Sequence, residues 1–152
     1  MFLETKIPPP AVTVVVALAM WGGSLFSSQL VVSSAIRLTL SLAIVVVGGG
    51  FGVAGVLSFR HAHTTVNPTK PERASTLVNT GIYRYTRNPM YLGLSCFLIA
   101  WAVFLASAWA LLGVVGFVLY MSRFQITPEE RALSALFGRE YASYKASVRR
   151  WL

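Results

Sequence analysis

Two short stretches concentrate the side chains whose types and spacing could do chemistry. The first reads Asn79-Thr80-Gly81-Ile82-Tyr83-Arg84-Tyr85-Thr86-Arg87-Asn88-Pro89-Met90-Tyr91. Asn79-Thr80-Gly81 has the composition of a turn. Asn88-Pro89 reads as an N-cap followed by proline at the first helical position. The free amides and positive dipole end of that helix suit an anionic group such as a carboxylate. Every helix has such an end; this one is set apart by the crowding of Tyr83, Arg84, Tyr85, Arg87 and Tyr91 around it. The second stretch, Thr127-Pro128-Glu129-Glu130, has the pattern of a capping box with proline in the first turn. Its glutamates serve either as cap and dipole compensation or as working carboxylates. Leu133, Phe137, Tyr141, Tyr144 and Val148 follow at helical spacing as an apolar stripe, with Gly138 as a point of interruption. Such a stripe fits a helix lying on a membrane surface or a lid. His61-x-His63 offers two ligands with no third His or neighbouring Cys, a poor metal site, and no metal is expected.

The elements that must position these residues are apolar. The chain has 152 residues, 55% hydrophobic and 12% charged, with a mean hydropathy of +0.64. A soluble domain carries about 25% charge. One cysteine cannot form an internal disulfide, and the length suits a single domain, 1–152. The net charge of +8 sits in clusters flanking apolar spans. No basic stripe with interleaved aromatics marks a nucleic-acid surface, so no nucleic-acid partner is expected.

A span needs about 20 apolar residues. Residues 11–32, after Pro8-Pro9-Pro10, and 36–59 each qualify. The second carries Gly48 and Gly52, a small-xxx-small pair that lets backbones approach in lipid. The block 90–124 would be roughly 50 Å long as one helix, against a hydrocarbon core of about 30 Å. It should fold back near Ser107-Ala108 into spans 90–106 and 108–124. The expected fold is an all-α integral membrane protein with about four transmembrane helices. The last two form a hairpin, and an amphipathic C-terminal helix, 127–150, lies in the cytoplasm. Twelve of the thirteen Lys and Arg residues then share one side with the N-terminus, the loop 60–89 and the tail, which makes that side cytoplasmic. No acidic residue lies in a span, which weighs against a proton-coupled transporter and puts the chemistry at the cytoplasmic surface. A loop of this length is usually functional or disordered, and this one is not low-complexity.

Leu77-Val78-x-Thr80-Gly81-Ile82-Tyr83-Arg84-Tyr85-Thr86-Arg87-Asn88-Pro89-Met90-Tyr91-Leu92-Gly93 resembles the signature of the isoprenylcysteine carboxyl methyltransferase-like family, to which phospholipid methyltransferases are related. Glu129-Glu130-x-x-Leu133-x-x-x-Phe137-Gly138-x-x-Tyr141-x-x-Tyr144 resembles the family's second block. Thr64-Thr65-Val66-x-Pro68 is similar to the loop entry of bacterial members. The resemblance covers about residues 60–150.

It implies an integral membrane enzyme, of a bacterial inner membrane, that uses S-adenosylmethionine to methylate a lipid or other lipophilic acceptor. By position it places Thr76, Leu77, Val78, Tyr83, Asn88, Pro89, Met90 and Tyr91 in the cofactor pocket, together with Glu129. Arg87 would position a carboxylate or shape the loop. Glu130 would act as a base if the acceptor were an ammonium group, whereas a carboxylate or thiolate needs none. Two departures bear on the acceptor side. Asn88 stands where eukaryotic members have His, and Gln125 stands where the family has an arginine implicated in substrate handling, with Arg123 two residues earlier. Arg123 and Gln125 are therefore the substrate candidates, for a carboxylate served by Arg123 or for a neutral acceptor. Two other readings are a non-catalytic scaffold or lipid-binding protein of the same fold and a membrane reductase of related topology. The reductase would need a nicotinamide site, and no dinucleotide fingerprint is found.

Overall fold

In the computed structural model, residues 6–62 and 76–152 are described. His63, Glu4, Glu72 and the expected loop entry Thr64-Thr65-Val66-x-Pro68 lie outside them. The described residues contain helices and no strand: α1 Pro9–Ser24, α2 Ser34–His61, a 3-10 turn Gly81–Arg84, α3 Pro89–Leu105, α4 Ala110–Met121, a π turn Ser122–Ile126 and α5 Thr127–Ser147. Central α3 packs most extensively along α2 and also touches α1 and α4. By length and composition, α2 and the continuous helix Ala110–Ser147 could each cross a bilayer, while α1 and α3 are shorter apolar helices.

The first apolar block is less helical than expected. The α1 helix starts on its prolines but stops at Ser24 rather than running to 32. Gly22-Gly23 weakens the last turn, and the Ser24 hydroxyl donates back to the Trp21 carbonyl at 2.6 Å. The apolar residues that follow form a cap on the α3–α4 turn instead. Leu30 N–H donates to Ala106 O at 2.7 Å, and Ser27 and Ser107 hydroxyls meet at 3.0 Å. That turn falls at the expected place, with Ala106 left-handed at φ 49°.

The second helix is organised inside out. Its buried residues are Ser41, Gly48, Gly55 and Ser58, while Leu38, Leu42, Val46 and Val53 are exposed. A water-soluble helix would bury the large side chains and show the small ones; a helix surrounded by lipid can do the reverse. The buried residues form a seam at a spacing of seven, Ser41-Gly48-Gly55, while the backbones of the expected Gly48/Gly52 pair both lie close to Gly93 of α3. A Cβ on Gly48 would meet Cys96 Cβ at 2.8 Å and Gly93 O at 2.9 Å, whereas one on Gly52 would meet nothing within 4 Å. At the top of the seam the Ser41 hydroxyl donates to Ala100 O at 3.0 Å.

Expected to open a new helix, Thr127-Pro128-Glu129-Glu130 instead lies inside a continuous one. The Thr127 hydroxyl caps no amide and donates to Ser122 O at 2.7 Å. Pro128 has no N–H for the carbonyl four residues earlier, and its ring crowds that carbonyl. A widened π turn over Ser122–Ile126 absorbs the misfit. Further on, Gly138 (φ 47°, ψ −116°) breaks the helix internally. The bend lets the stripe of α5 close over the segment that precedes α3, where Tyr141 and Tyr144 pack with Leu77, Val78 and Tyr83. The stripe thus packs against protein, with Tyr141 and Tyr144 buried and Leu133, Phe137 and Val148 partly so.

Candidate functional site at the start of α3

The approach to α3 is a sequence of tight local constraints. Gly81 takes φ +60°, and a Cβ there would lie 2.8 Å from Ser58 Oγ, so glycine is required on both counts. The 3-10 turn that follows points Tyr83 inward, edge-on to Phe59 with ring centroids 5.5 Å apart. Tyr144 Oη donates to Tyr83 O at 2.8 Å, linking the turn to α5. Thr86 is fully buried, and its hydroxyl oxygen accepts the Asn88 amide at 3.2 Å. Asn88 occupies the N-cap position, but its side chain makes no capping bond. Asn88 Nδ2 donates instead to Arg150 O at 2.8 Å, and Arg87 N–H donates to Arg149 O at 3.0 Å. The side chain expected to cap α3 is therefore committed to the far end of the chain, and the first turn of α3 lacks a side-chain cap.

Two carboxyl groups from α5 arrive at this corner by different routes. Tyr91, in the first turn of α3, donates its hydroxyl to Glu129 Oε1, and Tyr83 is close enough to feel the same carboxyl. Burial raises the Glu129 carboxyl to about 8, opposed by the Tyr91 hydrogen bond and reinforced by neighbouring Glu130. Burial also raises the Tyr83 phenol well above its ordinary value, with Tyr144 and then Glu129 adding to the effect. Between the ordinary carboxyl value of 4.5 and about 8, the folded chain holds a proton on Glu129 that the unfolded chain has released. Stability from this group is thus complete below about pH 4.5 and is lost as the pH rises through about 8. Wild-type stability in detergent should therefore fall across that window relative to Glu129→Gln, measured as paired pH-dependent melts; parallel curves for the two proteins would refute the assignment.

Glu130 is buried and works as the hub of an ion-pair cluster. Arg150 grips it with two bonds, Nε to Oε1 at 3.0 Å and Nη2 to Oε2 at 2.6 Å. Arg87 Nη1 lies 3.0 Å from Oε1 and Lys145 Nζ 3.7 Å from Oε2. The Arg87 contact is close but not aligned as a hydrogen bond, and the buried Arg87 Nε has no hydrogen-bond partner among the described residues. One carboxylate facing three cations leaves the cluster net positive, beside the positive end of the α3 dipole. Such a corner can hold an anion.

The remaining candidates are distributed around this corner. Leu77 and Val78 are buried against α5, while Thr76 is exposed. Pro89 and Met90 lie against Gly55 of α2, on the α2-facing side of the first turn. Gln125 is fully enclosed and donates to Ile7 O at 2.7 Å, which ties the π turn to the N-terminal segment. Arg123 is exposed, its guanidinium 5.7 Å from the Phe124 ring centre. Glu129, Tyr83 and Tyr91 are thus brought together, Arg87 and Glu130 are brought together, and Gln125 is held apart. Lys145 and Arg150 were legible only as part of a basic tail. The spacing of Glu130 and Lys145 would not place them together on a straight helix, and only the bend at Gly138 does so.

A family model described as phospholipid methyltransferase matches residues 36–140. The chain is 49% identical over 63 residues to a Haemophilus influenzae protein described as "Uncharacterized protein", covering 41% of this chain and 100% of that one. It is 33% identical over 91 residues to the protein-S-isoprenylcysteine O-methyltransferase of Saccharomyces cerevisiae, covering 58% of this chain. In the latter case the chain spans only 37% of the length of its relative. No solved structure matches. The family match includes α2, the tyrosine-rich corner, α3, α4 and both glutamates, and the chain belongs to the phospholipid methyltransferase family.

Proposed function

We propose that the chain is an S-adenosylmethionine-dependent methyltransferase acting on a lipophilic acceptor at the cytoplasmic surface of a bacterial inner membrane. In this reading α1 to α4 are four membrane passages, with the N-terminus, the loop before α3 and α5 on the cytoplasmic side. The observation that carries it is the convergence of the Glu129 carboxyl with the Tyr83 and Tyr91 side chains at the first turn of α3, beside the net-positive Glu130 cluster.

The residues present fit the cofactor's functional groups. The α3 amides and the positive cluster suit a methionyl carboxylate. Glu129 suits ribose hydroxyls or the sulfonium, and the tyrosines and Leu77 offer apolar surface to adenine. S-adenosylmethionine, when bound, supplies a methyl group that is already activated, so the protein's task is alignment and exclusion of water. Thr76 would stand at the rim, with Val78, Asn88, Pro89 and Met90 shaping the wall. Arg87 and Glu130 act on this reading by holding α5 against α3, since the Glu130 oxygens already face three cations. On the acceptor side Arg123 is an exposed cation, and enclosed Gln125 supports the π turn.

Calorimetric titration of S-adenosylmethionine into the purified protein tests the reading. Wild type should bind one equivalent, and Glu129→Ala should bind about tenfold more weakly, the upper end of the range for one hydrogen bond from a carboxyl that stays largely protonated at neutral pH. A folded wild-type protein that fails to bind in both detergent and lipid nanodiscs would overturn the enzyme reading and favour a scaffold.

A further inference from the structure

The residues that follow α5 touch both apolar clusters of the protein. The backbone becomes extended at Val148 (φ −124°, ψ 134°). Val148 packs with the Tyr83–Tyr141 cluster, and Trp151 packs against the cluster shared by α1, α3 and α4. Between these anchors the backbone pairs with the residues just before α3. Arg149 O accepts the Arg87 amide at 3.0 Å, and Arg150 O accepts Asn88 Nδ2 at 2.8 Å and the Thr86 hydroxyl at 3.4 Å. The Arg150 side chain grips Glu130 in α5 with its two aligned bonds. A single residue is therefore bonded through its carbonyl to the start of α3 and through its guanidinium to the neighbour of Glu129. These residues lie beyond the family-matched region 36–140.

We propose that residues 148–151 form a strap that sets the register between α5 and α3, with Arg150 as its positioning residue. This inference rests on the reading of that corner as the cofactor site. The ligand-facing residues on the two sides, Glu129 on α5 and Tyr91 on α3, have no covalent link shorter than the whole α3–α4 hairpin. Of the three cations at Glu130, Arg150 alone makes a bidentate, aligned contact; the Arg87 and Lys145 contacts attract without fixing direction. Loss of Arg150 should leave α5 attached but free to shift, which separates positioning from folding.

Two measurements decide the matter. In the ligand-free protein in detergent, Arg150→Met should speed hydrogen exchange of the Arg87 amide about tenfold, the scale of one lost charge-assisted contact. Amides of α4 should exchange as in wild type. S-adenosylmethionine affinity should fall by a similar factor, with part of it recovered in Arg150→Lys, which keeps the charge but not the fork. Unchanged exchange at Arg87 overturns the strap, as does faster exchange spread through α4, which would mark Arg150 as a general stabiliser. Normal Arg87 protection lost only in Arg150→Met, in a protein that never binds S-adenosylmethionine, would uphold the strap and remove the cofactor reading.

Discussion

Replacing Glu130 with alanine is expected to destabilise the folded protein by about 3 kcal/mol, the lower end of the range for removing one partner of a buried ion pair. The carboxylate is 9% exposed and Arg87 is 10% exposed, so after the substitution Arg87 stays in a poorly hydrated place with no counter-charge. The other two cations contribute less. Arg150 is 35% exposed and Lys145 49%, so water screens much of what they gain from Glu130 and rehydrates them when it is gone. The effect should therefore depend chiefly on Arg87. Combining Glu130→Ala with Arg87→Met should destabilise less than the sum of the two single changes, because the double variant buries no orphaned charge. Unfolding in detergent, followed by tryptophan fluorescence, reads all four proteins. Additive losses would mean that the cluster is screened throughout, and that Glu130 contributes its hydrogen bonds alone.

The α-helical class and the turn near Ser107 were legible in the residues. Long uncharged runs and the placement of lysines and arginines are coarse signals, and coarse signals survive errors of a few residues. The boundary of α1 was not legible, because residues 25–32 are as apolar as the helix before them. What ends the helix is Gly22-Gly23 with a serine bonding back to Trp21, and what holds the following segment is the distant Ala106 carbonyl. Thr127-Pro128 misled for a related reason. Proline in a first turn and proline inside a helix have the same sequence, and the choice was made by the packing that kept α4 and α5 continuous. At the site, it was the family resemblance, not spacing, that put Glu129 with the tyrosines. It could not show that Asn88 reaches Arg150 rather than capping α3, since that bond joins residues 62 apart. Nor could it assign Arg150, whose charge reads the same whether it faces lipid headgroups or a buried carboxylate.

The largest mechanical vulnerability is expected at Gly93, where α3 crosses α2. A Cβ at this position would lie 2.6 Å from Gly48 O and 3.3 Å from Gly52 N. Both are backbone atoms of a helix, so neither can rotate away as a side chain could, and the helices themselves must part. Gly93→Ala should therefore destabilise by about 2–3 kcal/mol, the upper part of the range for overpacking, and Gly93→Val by more. On α2 the seam at seven-residue spacing makes a sharper distinction. Gly48→Ala drives a methyl into Cys96 Cβ and Gly93 O, whereas Gly52→Ala points into open space. The first should weaken the protein by an amount like Gly93→Ala and the second should be close to neutral, both measured by denaturation with SDS in mixed micelles. Equal effects would favour the four-residue register and refute the seven-residue seam. The separation also reaches the candidate site. Tyr91 lies two residues before Gly93 on the same helix and bonds to Glu129 on α5. A displacement that parts α3 from α2 must therefore strain that bond. Gly93→Ala should accordingly weaken S-adenosylmethionine binding even though a Cβ at residue 93 faces α2, while Gly52→Ala should bind as wild type.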